Sequence, residues 1–227
     1  MSVKLRSFYE TGEQINDDPP VILFENFLSP VEVEQLLLAA KDKLRRAEVS
    51  GETQGVYSPG RTGSNCWIPH AHNQVIEDLT ERIAEVVGIS LEYAESLQVV
   101  HYLEGQEYAP HYDAWEAESE RGRRCMARGG QRMVTCLLYL NDVEAGGGTG
   151  FPNLDLEVRA RKGRMILFHN CHPRSNIRHP DSLHGGMPVL KGEKWACNLW
   201  FRESVYQTTS AASGRKAQPA RKFRRVV

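Results

Sequence analysis

His111 and Asp113, a histidine and an aspartate two positions apart, are the residues whose spacing first suggests chemistry. Side chains two positions apart share one face of a β-strand, so both could reach a single metal ion. His184 could supply a third ligand, because the glycines that follow it, Gly185 and Gly186, leave space beside its imidazole. Two histidines and one carboxylate form the facial triad that binds Fe(II) and leaves positions open for a co-substrate and O2. We therefore predict that His111, Asp113 and His184 are metal ligands and form the catalytic centre.

Two other histidine clusters are alternatives for a metal site. His70 and His72 could chelate zinc, and so could His169, Cys171 and His172. Neither cluster brings a complete set of ligands at the usual spacing. The second also lies in a segment rich in proline, asparagine and arginine, which we expect at the surface.

Lys194 is a candidate partner for the far end of a dicarboxylate co-substrate. If the turn at 191–193 forms a hairpin, Lys194 lies on the strand beside His184. Within a strand over 194–202, alternation places one set of side chains on the same face as the lysine. That set is Lys194, Ala196, Asn198, Trp200 and Arg202. This face could be exposed to solvent, or it could line the internal cavity of a closed barrel.

Length and composition predict a globular protein with one large β-rich domain or two small ones. The chain has 227 residues, of which 41% are hydrophobic and 25% charged. Its longest strongly apolar stretch, residues 133–140, is far shorter than the roughly 18 residues of a membrane-spanning helix, and the N-terminus lacks the apolar core of a secretion signal. The five cysteines form no Cys-x-x-Cys pair, which argues against a disulfide framework or a zinc ribbon. We expect a cytoplasmic protein with free thiols and no membrane partner.

The basic C-terminal tail carries much of the positive charge. Residues 213–227 hold six of the 28 basic residues and no acid, so the remainder has 22 basic and 29 acidic side chains, a net charge of −7. Such a tail could bind nucleic acid or another polyanion, or it could be a solvated terminus. We favour the second interpretation, since no aromatic platform or helical period accompanies the charges.

Local signals predict two helices in the N-terminal half, after a short strand at 21–24. The first helix begins after Ser29, with Pro30 at its first position and Glu32 three residues after the cap, and runs to about Val49. The second covers 74–87 and ends at a glycine.

Strand-like segments separated by turn residues follow from residue 97 onward. They are 97–103, 133–141, 154–159, 164–169, 187–190 and 194–202. Short strands at this spacing predict a β-sandwich or barrel, with the two helices bracing one face.

The domain organisation predicted from these patterns has three parts. Residues 1–20 form an irregular lead-in, residues 21–205 a catalytic domain, and residues 206–227 the basic tail. The metal-binding core spans about residues 97–203. The highly charged segment 116–128 is expected to be a mobile loop that covers the site.

A family resemblance extends over roughly residues 20–203. The matching segments are Leu97–Asp113, Gly130–Arg132, Leu138–Val143, Gly146–Pro152, Ser182–Val189, Gly192–Trp195 and Trp200, with Arg61–Ser64 upstream. In combination they resemble the catalytic domain of prolyl 4-hydroxylases. The resemblance implies an α+β, mainly β fold, in which a double-stranded β-helix (jelly roll) is flanked by N-terminal helices. It also implies Fe(II), the co-substrates 2-oxoglutarate and O2, and ascorbate as reductant.

The resemblance also implies roles for individual residues. His111, Asp113 and His184 would bind the iron. Lys194 would pair with the distal carboxylate of 2-oxoglutarate, with hydrogen bonds from Tyr102 and Thr149. The positions that the family uses around its peptide substrate are Glu95, Tyr108, Arg132 and Trp200.

The function predicted on this basis is hydroxylation of proline residues in peptides or proteins, with succinate and CO2 as co-products. One alternative is the same chemistry on a free amino acid or a small natural-product substrate. A second is a jelly-roll binding module without turnover. The binding module is disfavoured because it predicts the loss of at least one metal-binding or 2-oxoglutarate-binding residue, and these are all present.

Overall fold

The computed structural model describes residues 3–207. The helices are α1 (Pro30–Ala40), α2 (Gln74–Val87) and α3 (Glu120–Met126), with short 3-10 turns at His70–His72, Leu91–Tyr93, Pro152–Leu154 and Pro180–Ser182. The strands are β1 (Glu13–Asp17), β2 (Pro20–Phe24), β3 (Arg45–Arg46), β4 (Val49–Ser50), β5 (Gly55–Val56), β6 (Ser64–Ile68), β7 (Leu97–Tyr102), β8 (Tyr108–His111), β9 (Arg132–Tyr139), β10 (Ala145–Gly146), β11 (Thr149–Phe151), β12 (Leu156–Val158), β13 (Met165–His169), β14 (His184–Gly186), β15 (Val189–Lys191) and β16 (Lys194–Arg202).

Two antiparallel sheets form the core. The major sheet has the order β1-β2-β13-β9-β16-β7-β6-β3, and the minor sheet has the order β12-β11-β14-β8. Alternate residues of β16 point into two separate apolar clusters. Leu199 packs with α1 and α2 on one side, whereas Ala196 packs with Phe151 of the minor sheet on the other. The predicted jelly roll, braced on one face by two helices, is confirmed.

Helix α1 begins as predicted but ends earlier. Ser29 accepts a hydrogen bond from the backbone N–H of Glu32, and the Glu32 carboxylate accepts one from the N–H of Ser29, which completes a capping box. The predicted extension to Val49 is wrong, because Arg45 pairs with Asn65 at the edge of the major sheet. Backbone pairing in that sheet thus replaces further turns of helix.

Helix α2 matches its predicted bounds. Asn73 caps its start by accepting a hydrogen bond from the N–H of Ile76. Gly88 ends it in the left-handed conformation, at φ 75°, which a residue with a side chain rarely adopts. The apolar stripe of the helix, including Ile83, is buried against the major sheet.

Three further segments differ from their predicted structure. Part of the expected irregular lead-in is strand β1, which pairs with β2 at the edge of the major sheet. The charged segment 116–128 contains helix α3, capped by Ser119, where a mobile loop was expected. The segment that begins at His169 is not wholly at the surface, because His169 and Cys171 are buried at the end of β13.

The predicted hairpin between His184 and Lys194 does not form. Strand β15 pairs with β10, whereas β16 lies between β9 and β7 in the major sheet. His184 belongs to β14 of the minor sheet, so the two residues lie on facing sheets rather than on neighbouring strands. They nevertheless line the same cavity.

Two further predictions concern membrane-spanning helices and the basic C-terminal tail. Among the helices within residues 3–207, none has both the length and the apolar character needed to cross a membrane. The basic tail, residues 213–227, lies outside the described residues, so its predicted solvation is not tested.

Candidate metal centre

His111, Asp113 and His184 meet at one end of the minor sheet. His111 ends β8 and pairs directly with His184, the first residue of β14. Asp113 follows two residues after His111, and the ligand atoms of the three side chains lie within 4.8 Å of one another. Within residues 3–207 this is the only group of three such side chains that is close enough to hold a metal ion.

Backbone carbonyls set the tautomer of both histidines. The Nδ1 atom of His111 lies 2.9 Å from the carbonyl oxygen of Ala109, and Nδ1 of His184 lies 2.9 Å from that of Ser182. Because a carbonyl oxygen only accepts hydrogen bonds, each Nδ1 carries the proton. In the neutral form of each ring, Nε2 then has a free lone pair, as a metal ligand requires.

One oxygen of Asp113 is held by two hydrogen-bond donors. The hydroxyl of Thr135 and Nε1 of Trp200 both donate to Oδ2, each at 2.7 Å. The amide of Asn170 donates to Thr135 Oγ1 at 2.8 Å, which orients that hydroxyl. Since Oδ2 is engaged in this way, Oδ1 is the oxygen left free of these bonds.

The ionisation states of the site suit a divalent metal ion. Burial lowers the pKa of His111 to about 3, with a further contribution from His184, so its imidazole is neutral. Burial opposes ionisation of Asp113, but His184 and Arg132 outweigh it and hold the pKa of that carboxyl well below its usual value. Two imidazoles and one carboxylate are the donors that Fe(II) takes in facial-triad sites.

Replacing Thr135 by valine is expected to lower the affinity for Fe(II) by about ten- to a hundredfold, as is common when a group that orients a metal ligand is removed. The substitution removes a donor to Asp113 and leaves the amide of Asn170 without its acceptor. Anaerobic calorimetric titration with Fe(II) measures the change. Thr135→Ser keeps the hydroxyl and should bind Fe(II) nearly as the unmodified chain does. An unchanged affinity in a folded Thr135→Val protein would contradict the orienting role.

Only one of the two glycines after His184 has the predicted role of leaving space beside the imidazole. A Cβ atom on Gly185 would lie 2.8 Å from the carbonyl oxygen of Tyr108, so glycine is required because β8 passes so close. Gly186 instead faces the cavity, where its Cβ position lies 3.7 Å from Nζ of Lys194. Space beside the imidazole therefore explains only the second glycine.

Lys194 lies in the same cavity as the three candidate ligands. Its side chain is buried, and Nζ donates to the carbonyl oxygen of Gly148 at 3.2 Å. Among the described residues no carboxylate forms an ion pair with it. Burial lowers its pKa to about 7. A desolvated ammonium group without a counter-ion is a ready partner for an anionic ligand.

Tyr102 and Thr149 line this cavity together with Lys194. The ring centroid of Tyr102 lies 5.9 Å from Nζ of the lysine. Tyr139, which the sequence analysis did not single out, lies 5.5 Å from the same atom and donates to Oγ1 of Thr149 at 2.6 Å. With that oxygen accepting, the hydroxyl proton of Thr149 is free to bond a ligand in the cavity.

The predicted substrate residues lie around the metal triad. Tyr108 stacks on His111 with ring centroids 3.6 Å apart. The guanidinium carbon of Arg132 lies 3.8 Å from the ring centroid of Trp200, and its Nη1 lies 3.7 Å from Oδ1 of Asp113. These groups form a cationic and aromatic rim next to the candidate ligands.

Glu95 is also close to this rim, but its carboxylate is fully engaged. Arg132 donates to both of its oxygens, at 2.6 and 2.9 Å, and Arg202 donates to Oε1 at 2.8 Å. Burial opposes its ionisation, but the two arginines outweigh it and lower its pKa. Glu95 is therefore placed to hold Arg132 rather than to receive a ligand.

Arg61 is a second residue that the sequence analysis did not assign to the site. It is buried, donates to Oε1 of Gln98 at 3.0 Å, and lies 4.5 Å from the ring centroid of Tyr108. The resemblance included it only as part of a motif, and no spacing rule links it to Tyr108.

The alternative histidine clusters do not assemble into sites within the described residues. His70 bonds the backbone carbonyl of Glu95 at 2.7 Å, and His72 is exposed. His169 bonds the hydroxyl of Tyr9 at 2.7 Å. Each buried imidazole has a structural hydrogen bond instead of a partner for zinc.

Comparison with known families finds one match in the second half of the chain. The model described as the 2OG-Fe(II) oxygenase superfamily matches residues 97–202. This range contains all of the candidate metal and co-substrate residues.

Curated proteins match over most of the chain. A candidate prolyl 4-hydroxylase of Acanthamoeba polyphaga mimivirus is 37% identical over 194 residues, which is 84% of this chain and 78% of that protein. Prolyl 4-hydroxylase 5 of Arabidopsis thaliana is 36% identical over 210 residues, covering 83% of this chain and 70% of that protein.

A solved structure extends the likeness to the fold. The viral collagen prolyl hydroxylase of Paramecium bursaria Chlorella virus-1, in complex with 2-oxoglutarate, superposes with a TM-score of 0.63 at 26% identity. The match covers 80% of this chain and 95% of that one.

Proposed function

Since this chain belongs to the prolyl 4-hydroxylase family of Fe(II)- and 2-oxoglutarate-dependent oxygenases, we propose that it hydroxylates proline residues in peptides or proteins. The observation that carries the proposal is one cavity with two imidazoles and a carboxylate on one side and a buried, uncompensated lysine on the other. A metal-bound co-substrate with an anionic far end fits this arrangement. Ascorbate is the reductant typical of this family.

We assign the metal to Nε2 of His111, Nε2 of His184 and Oδ1 of Asp113. The carbonyls of Ala109 and Ser182 hold the Nδ1 side of each ring and leave Nε2 for the metal, and the hydroxyl of Thr135 holds the other carboxylate oxygen. Fe(II), when bound here with 2-oxoglutarate, supplies the activation of O2 that places one oxygen atom on a C–H bond and the other in succinate, with release of CO2. The residues of the chain orient the reactants and exclude water.

Lys194 is assigned to the distal carboxylate of 2-oxoglutarate, with Tyr102 and Thr149 as further donors. Phe151 and Phe168, both fully buried, pack on the ring of His184 with centroids 5.8 and 4.6 Å away, so apolar side chains exclude water behind that ring. Charge-assisted hydrogen bonds are strongest where water is excluded, so the lysine should provide most of the selectivity for a dicarboxylate.

Tyr108, Arg132 and Trp200 are assigned to the target proline and its flanking backbone. Their rings and guanidinium border the candidate metal ligands directly. Arg132 offers donors for a peptide carbonyl, and Trp200 offers an apolar face for a pyrrolidine ring. Glu95 acts through Arg132 by fixing its guanidinium with two hydrogen bonds.

Turnover of proline-rich peptides tests the proposal directly. The protein is incubated with Fe(II), 2-oxoglutarate, ascorbate and either a proline-rich peptide or free proline, and the products are analysed by mass spectrometry. We expect the peptide to gain one oxygen atom per molecule of succinate formed. Oxidation of free proline alone would favour the small-molecule alternative. Reactions without 2-oxoglutarate serve as the control.

The affinity for 2-oxoglutarate is expected to fall as the pH rises above about 7, the value to which burial lowers the pKa of Lys194. The bound dicarboxylate stabilises the ammonium form and raises that pKa, so binding takes up a proton. Affinity is therefore highest below the unliganded pKa and decreases by up to about tenfold per pH unit above it, until the pKa of the liganded lysine is reached. Calorimetry in buffers of different ionisation enthalpy measures both the affinity and the proton uptake. A flat profile would contradict the assignment of Lys194.

A further inference from the structure

A second cleft, which we call the arginine cleft, lies at the β3 edge of the major sheet. Its walls carry three arginines, Arg45, Arg46 and Arg124, and its aromatic side chains are Tyr57 and Trp67. Glu48, Asn65 and Gln98 also line it, with the backbone of the β4–β5 hairpin. Helix α3 closes one side of the cleft.

The cleft carries a net positive charge, because three arginines line it against one glutamate. Among the described residues, none of its three arginines forms an ion pair, although Glu48 lies in the same cleft. Arg124 donates to the carbonyls of Gly51 and Glu52, which ties α3 to the β4–β5 hairpin. The described residues as a whole, in contrast, contain more acidic than basic side chains.

Exposed aromatic faces accompany the charges. Trp67 is 48% exposed and Tyr57 is 59% exposed, and the guanidinium carbon of Arg46 lies 4.8 Å from the ring centroid of Tyr57. Tyrosine, tryptophan and arginine are the residues enriched where proteins contact their partners. Aromatic rings offer flat apolar surfaces to proline rings, and arginines bind carboxylates.

The arginine cleft and the candidate metal cavity lie on neighbouring strands of the major sheet. Trp67 pairs with Gln98, and Gln98 pairs with Asn198, in successive strands β6, β7 and β16. The first two residues line the arginine cleft, while Asn198 lines the metal cavity. The rings of Trp67 and Trp200 are 6.0 Å apart, and Trp200 donates to Asp113. The cleft with the arginines is therefore a direct neighbour of the cavity with the metal triad.

We propose that the arginine cleft is a specificity subsite that binds acidic residues flanking the target proline of a peptide substrate. This inference rests on the function proposed above and adds to it a charge requirement on the substrate. A neutral proline-rich peptide would fill the metal cavity and leave the three guanidiniums unpaired. An acidic flank pairs with them and lays its backbone against the exposed rings.

Sheet geometry fixes the distance between target and flank. Neighbouring strands lie about 4.8 Å apart, so the step from β16 to β6 spans about 10 Å and the step to β3 about 15 Å. An extended peptide advances about 3.1–3.4 Å per residue, which places the acidic residues roughly three to five positions from the target proline.

Binding and turnover of matched peptides test the subsite. The probes are alanine–proline repeat peptides with a glutamate block at one end, one peptide for each end, and counterparts with glutamine in place of glutamate. For one orientation we expect the glutamate peptide to bind about five- to tenfold more tightly, as two or three partly exposed ion pairs would provide. The preference should shrink in high salt.

Arginine substitutions assign the preference to the cleft. The double variant Arg45→Gln, Arg46→Gln should lose most of it, whereas Arg159→Gln, which removes an exposed arginine from another surface, should keep it. Fluorescence anisotropy measures binding without turnover, and mass spectrometry measures hydroxylation of the same peptides. Equal binding of both peptides, or a preference that survives in the double variant, would overturn the subsite.

These experiments distinguish a failure of the proposed subsite from a failure of the proposed hydroxylation. If the glutamate peptide binds with the expected dependence on Arg45 and Arg46 but gains no oxygen, the subsite stands and peptidyl-proline hydroxylation is wrong. If both peptides are hydroxylated with equal kcat/KM in the unmodified chain, hydroxylation stands and the subsite is wrong.

Discussion

Replacing His184 by alanine is expected to abolish succinate formation from 2-oxoglutarate. The imidazole supplies one of the three candidate metal ligands, and its Nε2 lies 3.4 Å from Oδ2 of Asp113. The loss of a group that merely orients a ligand lowers activity by about ten- to a hundredfold, so loss of the ligand itself should exceed a hundredfold. Succinate released in the presence of Fe(II), O2 and a proline-rich peptide measures the effect.

A matched histidine variant separates this effect from general damage. His72→Ala removes an exposed imidazole that is not part of the triad and should retain full activity. Because His184 packs on Phe151 and Phe168, its variant must also show a cooperative thermal transition. Full turnover in folded His184→Ala protein would remove this residue from the metal site.

Replacing Lys194 by methionine is expected to weaken 2-oxoglutarate binding by roughly 2–5 kcal/mol, the usual cost of removing one partner from a buried charge pair. This corresponds to about a thirtyfold to several thousandfold rise in Kd. Methionine keeps much of the side-chain volume but removes the ammonium group that lies near the rings of Tyr102 and Tyr139. Anaerobic titration of the Fe(II)-loaded protein with 2-oxoglutarate measures the affinity.

Stability provides an independent readout for the same variant. In the unliganded protein the ammonium group is buried with one carbonyl as its hydrogen-bond partner, which disfavours the folded state. Lys194→Met removes this cost, so its thermal transition should occur at an equal or higher temperature. Lys191→Met, which removes an exposed lysine at the end of β15, should leave the affinity unchanged. An unaltered Kd in Lys194→Met would exclude the lysine from the co-substrate site.

The features that sequence predicts well are those determined by near neighbours. The capping box at Ser29 depends on residues within one turn, and it forms as expected. Likewise, the two-residue spacing of His111 and Asp113 brings both side chains toward one point. The end of α1 depends instead on pairing between Arg45 and Asn65, which are far apart in the chain, and its prediction failed.

Contacts between strands explain what the sequence could not show. Alternation along β16 correctly grouped Lys194 with Ala196 and Trp200 on one face, but the expected neighbour of Lys194 was wrong. The orienting role of Thr135 and the contact of Tyr139 with Thr149 depend on which strands are adjacent and in which register. No local pattern in the chain encodes that information.

Because His111 pairs directly with His184, the affinity for iron depends on the register between strands β8 and β14. Side chains alternate between the two faces of a sheet, so a shift of β14 by one residue against β8 would turn one imidazole outward. The apolar layer between α1, α2 and the major sheet would be untouched by that shift. A chain misaligned only at these two strands would therefore pass tests of compactness and still fail to retain iron.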